Sequence, residues 1–167
     1  MLKKKTNNSK IIIISGPTAT GKSLLALDLA TKFKGVIINA DSQQVYKDLP
    51  ILSSQPKKED YKRVPHKLFN FLNFYQVFSV DKWFKLVKKE IKNAQTKNIL
   101  PIIVGGTGMY LNALLNGLKI FPKIPLNVRK KGKQMMNKLG SKKFYEKLRN
   151  ENSECVYNIF PNDKIRL

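Results

Sequence analysis

Apolar residues at the start of the chain occur first as a short block and then at helical spacing. Ile11 to Ile14 is a β-branched run ending at Ser15-Gly16, and such a run is typical of a strand buried on both faces of a parallel sheet. Val36 to Asn39 is a second run of this kind, preceded by Gly35. Between the two runs, apolar residues recur every three or four positions, at Leu25, Ala26, Leu29, Ala30 and Phe33. The pattern predicts a strand–helix–strand unit.

The same alternation continues to residue 118. We predict a third strand over Leu68 to Phe74, a helix beginning near Ser79 and Asp81, and a fourth strand over Ile99 to Val104. The apolar stripe of this helix comprises Trp83, Phe84, Val87, Ile91 and Ala94. A last helix is expected over Tyr110 to Leu118, closed by Gly117. Four strand-then-helix alternations indicate an α/β fold with a doubly wound parallel sheet.

The pattern changes after residue 118. Pro122 and Pro125 bracket a linker, and a helical, strongly basic stretch runs from Leu126 to Arg149, in which Glu146 is the only acid. Its basic residues are Arg129, Lys130, Lys131, Lys133, Lys138, Lys142, Lys143, Lys147 and Arg149. We therefore predict a core over residues 1–118 and a basic helical appendage over residues 119–167.

Composition favours a polyanionic partner but does not decide the matter. The chain of 167 residues carries 32 Lys and Arg against 11 Asp and Glu, a net charge of +21. AT-rich coding, which also enriches Ile and Asn, would produce the same lysine excess without any selection for binding. Cys155 is the only cysteine, so a disulfide framework is excluded, and no apolar run is long enough for a membrane span. We expect a cytoplasmic protein that is monomeric and has no membrane partner.

A phosphate-binding loop follows the first predicted strand. It matches the pattern G-x-x-x-x-G-K-[ST] in full, with Gly16, Pro17, Thr18, Ala19, Thr20, Gly21, Lys22 and Ser23. Its backbone N–H groups and the following helix N-terminus suit phosphate oxygens, Lys22 adds a positive charge, and the Ser23 hydroxyl can hold Mg²⁺. The motif predicts phosphate binding in a P-loop NTPase-like fold; hydrolysis of a nucleotide does not follow from it.

Two further loops follow predicted strands and therefore face the same ligand crevice. Asp41-Ser42-Gln43-Gln44-Val45-Tyr46 comes after the second strand, where Asp41 could accept a proton or support a metal, or could cap a helix. Gly105-Gly106-Thr107-Gly108 comes after the fourth, and Thr107 is its one hydrogen-bonding side chain. The metal-supporting acid expected of a hydrolysing P-loop enzyme is missing from this second loop, which argues against an ordinary ATPase or GTPase.

The lone histidine and the aromatic residues allow two interpretations each. His66 could be a catalytic base, although a single histidine is more often structural. Seven aromatic residues could offer stacking faces to bases, although their spacing favours core packing. These are Phe69, Phe71, Phe74, Tyr75, Phe78, Trp83 and Phe84.

Taken together, these segments resemble the tRNA dimethylallyltransferase (isopentenyltransferase) family. The matching runs are Gly-Pro-Thr-Ala-Thr-Gly-Lys-Ser at 16–23, Asp-Ser-Gln-Gln-Val-Tyr at 41–46, Val-Pro-His at 64–66, Val-Gly-Gly-Thr-Gly-Met-Tyr-Leu at 104–111 and Pro-Asn-Asp at 161–163. They occur in the family's order along nearly the whole chain. The sequence departs from the family's usual residues at Lys67, Asn70 and Ser54-Gln55-Pro56, which affects the expected RNA contacts more than the diphosphate site.

The resemblance implies transfer of a dimethylallyl group from dimethylallyl diphosphate to the exocyclic amine of the adenosine 3′ of the anticodon in tRNA. By that resemblance the P-loop holds the prenyl diphosphate with Mg²⁺, Lys22 assists the leaving group, and Asp41 is the general base. Ser42, Gln43 and Gln44 would contact the adenosine, Thr107 would fix substrate, and Arg129 would contact tRNA.

Three alternatives stay open. Small-molecule and nucleotide kinases also place an Asp after the second strand beside a P-loop, a related enzyme could prenylate free adenine nucleotides, and an RNA-binding module could retain a P-loop without catalysis. The family's chains normally continue well beyond the Asn162-Asp163 motif, whereas this sequence ends at Leu167. We therefore expect a truncated chain that binds diphosphate and transfers prenyl groups poorly or not at all.

Overall fold

The computed structural model describes residues 10–118, 124–164 and 166–167. The chain divides into two compact units, residues 1–119 and 120–167. Pro122 of the predicted linker lies outside the described residues.

The first unit alternates strands and helices around a four-stranded sheet. Its elements are β1 (Ile12–Ser15), α1 (Lys22–Lys32), β2 (Gly35–Asn39), α2 (Lys58–Arg63), β3 (His66–Lys67), α3 (Val80–Thr96), β4 (Leu100–Gly105) and α4 (Gly108–Asn116). The spatial order of the strands is β1-β4-β2-β3, and every pairing is parallel. The P-loop and the Asp41 and Thr107 loops therefore all leave the carboxyl edge of this sheet.

Helices cover both faces of the sheet, which confirms the doubly wound fold. On one face, α1 buries Ala26, Leu27 and Ala30 against Ile37 and Ile102. On the other face, α3 and α4 pack against Ile38 and Ile103 and contribute Trp83, Val87, Ile91, Tyr110 and Leu111. The predicted stripe of α1 is wrong at two positions, because Leu25 and Phe33 are each 52% exposed while Leu27 is buried.

The predicted third strand over Leu68 to Phe74 is also wrong in position. The strand is β3, only His66 and Lys67, and it pairs with Ile37 and Ile38 of β2. Leu68 and Asn70 both have left-handed backbone angles, φ 62° and φ 50°, which end an extended strand. Part of the predicted segment still contacts the preceding loop, through an isolated bridge between Leu72 and Tyr46.

The start of α3 agrees with its sequence. Ser79 is the N-cap residue and accepts a hydrogen bond from Lys82 N, as predicted from the Ser79-x-Asp81 pattern. The aromatic residues divide: Trp83 is fully buried, whereas Phe74 and Tyr75 are 67% and 82% exposed. The expectation of core packing is thus confirmed for Trp83 and wrong for those two.

The second unit is mostly one basic helical segment. It consists of α5 (Leu126–Glu151) and α6 (Ser153–Val156), and α5 is broken at Gly140, whose φ of 75° and ψ of 162° are not helical. Phe144 and Val156 are buried within the unit, while the lysines and arginines of α5 lie on its surface. In the part of the chain that the structure describes, no helix combines the length and the apolar character required to cross a bilayer.

Candidate active site

The phosphate-binding loop lies between β1 and α1. Gly21 has φ 81° and leads directly into the helix, which begins at Lys22. This left-handed backbone suits glycine, and it lets the loop turn back over the N-terminus of α1. Thr20 Oγ1 donates to Pro17 O at 2.8 Å, and Lys22 Nζ donates to the same carbonyl. The loop therefore presents its backbone and the positive end of a helix to an anion.

Asp41 is fixed by Asn39, the last residue of β2, which is fully buried. Asn39 Oδ1 accepts from Asp41 N at 2.7 Å, and Asn39 Nδ2 donates to Asp41 O at 2.9 Å and to Leu68 O at 3.0 Å. Trp83 Nε1 donates in turn to Asn39 O at 2.8 Å. One buried amide thus sets the backbone on both sides of Asp41.

The carboxylate of Asp41 forms a local turn rather than a helix cap. Its Oδ1 accepts from Gln43 N at 2.8 Å, and no helix follows until α2. Among the described contacts, the other carboxylate oxygen has no hydrogen bond, so it is free to accept from a bound ligand.

The loop after β4 approaches Asp41 closely. Thr107 Oγ1 accepts from Ser42 N at 2.9 Å, and Thr107 N donates to Ala40 O at 3.2 Å. A Cβ added to Gly105 would overlap the carbonyl of Ala40 and would lie 2.7 Å from Asp41 N. Glycine is thus required at 105 because the backbone of Ala40 and Asp41 occupies the place of a side chain.

We predict that Gly105→Ala lowers the free energy of unfolding by about 2 kcal/mol or more, because the atoms in its way belong to the backbone. Gly108→Ala is the matched control on the same loop: no atom lies within 4 Å of its added Cβ, and the residue is helical. Denaturant unfolding of both variants tests this. Equal stability of the two would show that the backbone of β4 does not contact the Ala40–Asp41 peptide.

The P-loop and the Asp41 segment line one cavity of about 360 Å³. Lys22 and Ser23 contribute from the P-loop, and Asp41, Gln43 and Gln44 from the loop after β2. A second cavity, of about 790 Å³, shares Ser23, Leu24, Gln44, Ser54 and Val104 with the first. Its floor adds apolar side chains from Leu27, Ile37 and Phe69. The cavity lined by the P-loop lysine and Asp41 therefore adjoins a more apolar one.

The predicted base-contacting residues differ in what they contact. Ser42 contributes its backbone N–H to Thr107, and Gln43 is exposed at the 360 Å³ cavity. The amide of Gln44 donates to Ser53 O at 2.9 Å and to Ser54 O at 3.1 Å. Gln44 thus holds the loop around residue 54, although its side chain also lines both cavities.

His66 lies apart from Asp41, on the wall of the 790 Å³ cavity. Its Nδ1 is 2.9 Å from Val64 O, and its ring contacts the rings of Tyr61 and Phe69. Burial lowers the pKa of His66, and this effect is larger than the opposing effects of the Val64 carbonyl and Asp60. These contacts support a structural role for the imidazole at this wall.

Tyr110, in the first turn of α4, places a phenol close to the Asp41 loop. Its ring stacks on Trp83 with centroids 4.4 Å apart. Burial, and then the proximity of Tyr46 and Asp41, raise the pKa of Tyr110 to about 12. The phenol is therefore neutral at physiological pH and keeps its proton as a hydrogen-bond donor.

Arg129 is on α5 in the second unit, where it is exposed beside Lys130 and Lys133.

Sequence reasoning missed Asn39, Trp83 and Tyr110 as residues of the site. A usable signal existed for Asn39: an amide at the end of an otherwise apolar buried strand needs hydrogen-bond partners. No group of three or more His, Cys, Asp or Glu within the described ranges could form a metal site of protein ligands alone.

These features define a class of protein. A parallel sheet carries a P-loop after its first strand, and a carboxylate after its second strand lies in the same cavity as the P-loop lysine. This is a P-loop α/β protein with a carboxylate in the cavity that its P-loop lines.

Comparison with known proteins gives the family. The family model described as IPP transferase matches residues 44–167. The tRNA dimethylallyltransferase of Pelagibacter ubique is 48% identical over 158 residues, which are 95% of this chain and 50% of the relative. The chain belongs to the IPP transferase family, and it spans about half the length of the curated relatives it matches.

Solved structures agree with this assignment. The full-length tRNA isopentenylpyrophosphate transferase of Bacillus halodurans superposes with a TM-score of 0.66 at 29% identity, over 93% of this chain and 52% of that one. Crystal structures of a eukaryotic dimethylallyltransferase acting on tRNA give a TM-score of 0.79 at 29% identity. The match covers 92% of this chain and 38% of that one. The P-loop NTPase-like fold expected from the sequence is confirmed.

Proposed function

We propose that this protein transfers a dimethylallyl group from dimethylallyl diphosphate to the exocyclic amine of the adenosine 3′ of the anticodon in tRNA. One observation carries the proposal: the P-loop lysine and the Asp41 carboxylate line the same 360 Å³ cavity, beside a larger apolar cavity. A diphosphate at the P-loop, a hydrocarbon group and an acceptor amine near Asp41 fit that arrangement. The names of the relatives support the same reaction.

In this reaction the bond between the prenyl C1 and the diphosphate oxygen breaks, and its electron pair leaves with the diphosphate. Lys22 and the backbone N–H groups of the P-loop stabilise that negative charge. The adenine nitrogen forms a bond to C1, its proton becomes acidic, and Asp41 accepts it. A carboxylate suffices as the base because the proton is acidic only after the new bond has begun to form. The adenine ring must leave the stacked bases of the anticodon loop to reach Asp41.

The site has the chemical groups needed for Mg²⁺. Magnesium usually keeps several waters and takes one or two protein oxygens together with substrate phosphates. Ser23, in the first turn of α1, offers a hydroxyl to the cavity that Asp41 also lines. Ser23 would hold the ion, which would supply further charge neutralisation for the leaving diphosphate when bound. Thr107, whose oxygen accepts from Ser42 N, keeps a hydroxyl proton with which to fix substrate.

The proposal is tested by incubating the protein with labelled dimethylallyl diphosphate and either unmodified tRNA or free adenine nucleotide. Label in tRNA at the adenosine next to the anticodon is expected. Label in the free nucleotide instead would make the protein an adenine-nucleotide prenyltransferase. Transfer of the γ-phosphate of ATP to a small acceptor, with no prenyl transfer, would make it a kinase. We also propose that the protein is a monomer and that it acts in the cytoplasm. Light scattering tests the monomeric state.

Arg129 and the lysines of α5 support RNA as the acceptor. We predict that Lys130→Ala, Lys131→Ala and Lys133→Ala together lower the affinity for all tRNAs by the same factor. The reason is that contacts to the phosphate backbone do not depend on the base sequence. Each lost contact should reduce the slope of log affinity against log salt by about 0.7–0.9. Replacing the same three lysines with arginine is the control, since the charge remains. Affinity that is insensitive to salt would assign the positive charge to coding bias instead.

A further inference from the structure

A turn at the carboxyl edge of the sheet holds two large aromatic side chains in solvent. It comprises Asn73 to Val77, between the bridge at Leu72 and the start of α3. Phe74 is 67% exposed, Tyr75 82% and Val77 83%. We call these residues the aromatic turn. Such exposure of three neighbouring apolar side chains indicates a contact surface.

Hydrogen bonds fix the backbone of the aromatic turn. Gln76 N donates to Asn73 O at 3.0 Å, and Asn73 N donates to Gln76 Oε1 at 2.8 Å. Asn73 Nδ2 donates to the Tyr75 hydroxyl at 3.0 Å. The backbone that carries the rings therefore loses little further freedom on binding a ligand, which favours recognition by stacking.

The aromatic turn is attached to the segment that follows Asp41. Phe74 N donates to Asp48 Oδ2 at 2.9 Å, and the Phe74 ring lies 6.2 Å from that of Tyr46. Tyr46 in turn donates its hydroxyl proton to Gln76 O at 3.4 Å. Tyr46 is the last residue of the Asp41–Tyr46 segment. The aromatic turn is therefore attached directly to the end of the segment that begins at Asp41.

A row of lysines begins next to the aromatic turn and continues along α3. Lys82, Lys85, Lys89 and Lys92 are exposed, and their spacing of three or four residues places them on one helix face. That face is opposite the buried stripe of Trp83, Val87 and Ile91. Lys82 Nζ donates to Val77 O at 3.0 Å, which joins the row to the aromatic turn. Of the two acids of α3, Asp81 pairs with Lys85.

We propose that the aromatic turn is a stacking platform for one or two unpaired RNA bases beside the nucleotide bound at Asp41, with the α3 lysines holding the connecting phosphates. Aromatic faces beside a positive row are the arrangement by which single-stranded nucleic acid is bound. The charge favours RNA over an apolar polypeptide, which would offer no anion to Lys82, Lys89 and Lys92. The proposal rests on the proposed function for its RNA substrate, but it concerns a surface that the transfer chemistry does not use.

The test uses a single-stranded RNA of about twelve nucleotides with one 2-aminopurine, an adenine analogue whose fluorescence falls when it stacks. The 167-residue chain should quench the probe. Phe74→Ala with Tyr75→Ala should abolish the quenching and weaken binding about 5- to 100-fold, while the salt slope stays the same. Phe74→Tyr with Tyr75→Phe should restore both, because aromatic faces remain. Lys82→Gln, Lys85→Gln and Lys89→Gln together should instead reduce the salt slope. The quenching reached at saturating protein should stay unchanged.

Leu115→Ala is the matched control, because Leu115 is 68% exposed on α4 and lies outside the aromatic turn. Thermal unfolding of each variant shows whether it is folded. Unchanged quenching and affinity in the Phe74→Ala, Tyr75→Ala protein would overturn the proposal. Loss of self-association in that protein, with RNA binding intact, would overturn it in favour of a protein contact. Quenching without prenyl transfer would leave the platform standing and contradict only the proposed function.

Discussion

Asp41→Asn is expected to slow prenyl transfer by about 10²- to 10⁴-fold and to leave the affinity for dimethylallyl diphosphate unchanged. Asparagine keeps an oxygen that can accept from Gln43 N, so the turn seen at Asp41 survives. What it loses is the ability to accept a proton from the adenine nitrogen. Single-turnover rates with tRNA and titration with the diphosphate measure the two effects separately.

Lys22→Ala provides the contrast. Lys22 lies at the P-loop. By the proposed function its charge acts on the diphosphate, so its loss should weaken diphosphate binding as well as transfer. Equal loss of diphosphate binding in the Lys22 and Asp41 variants would remove Asp41 from the role of general base. A normal transfer rate in Asp41→Asn would do the same.

Asn39→Ala is expected to lower both stability and transfer, although Asn39 is not among the residues that line the two cavities. The change leaves Asp41 N, Asp41 O and Leu68 O without the amide partner that they now share. An unsatisfied buried group costs about 1–3 kcal/mol. A displacement of Asp41 by about 1 Å can cost about a hundredfold in rate. We therefore expect a loss of about 2–4 kcal/mol of stability and, in the fraction that remains folded, about a hundredfold slower transfer.

The control is Trp83→Phe, which removes one hydrogen bond to Asn39 O and keeps an aromatic ring against Tyr110. It should lose about 1 kcal/mol of stability and much less rate. Unfolding by denaturant gives the first quantity, and single turnover with saturating diphosphate gives the second. If Asn39→Ala loses stability but transfers at the normal rate once folded, Asn39 supports the fold and does not position Asp41.

Local patterns in the sequence were sufficient for most of the fold. Three of the four strands lie within one residue of their predicted bounds, because each is a short β-branched run followed by a loop. The N-cap of α3 at Ser79 and the end of α4 at Gly117 were also predicted correctly from the sequence. The third strand was misplaced because apolar residues continue through Leu68 to Phe74, while the backbone at Leu68 and Asn70 turns left-handed. Hydrophobic spacing does not encode that turn.

The residues expected at the site were recognisable for a similar reason. A P-loop motif acts through its own backbone, so eight consecutive residues contain the information. The parallel order of strands then predicted that the Asp41 and Thr107 loops would emerge at the same edge, and the hydrogen bond from Ser42 N to Thr107 Oγ1 joins them. The roles of these side chains with substrate remain predictions.

The sequence by itself determined a doubly wound P-loop protein of the IPP transferase family and the loops that meet at the P-loop. Only the tertiary structure decided how Asp41 is held, which aromatic rings are buried, and which lie exposed beside the α3 lysines. The reason is distance along the chain: Asn39 meets Trp83 44 residues later, and Ser42 meets Thr107 65 residues later. Such contacts depend on how helices and strands pack together, and no pattern within a single segment specifies them.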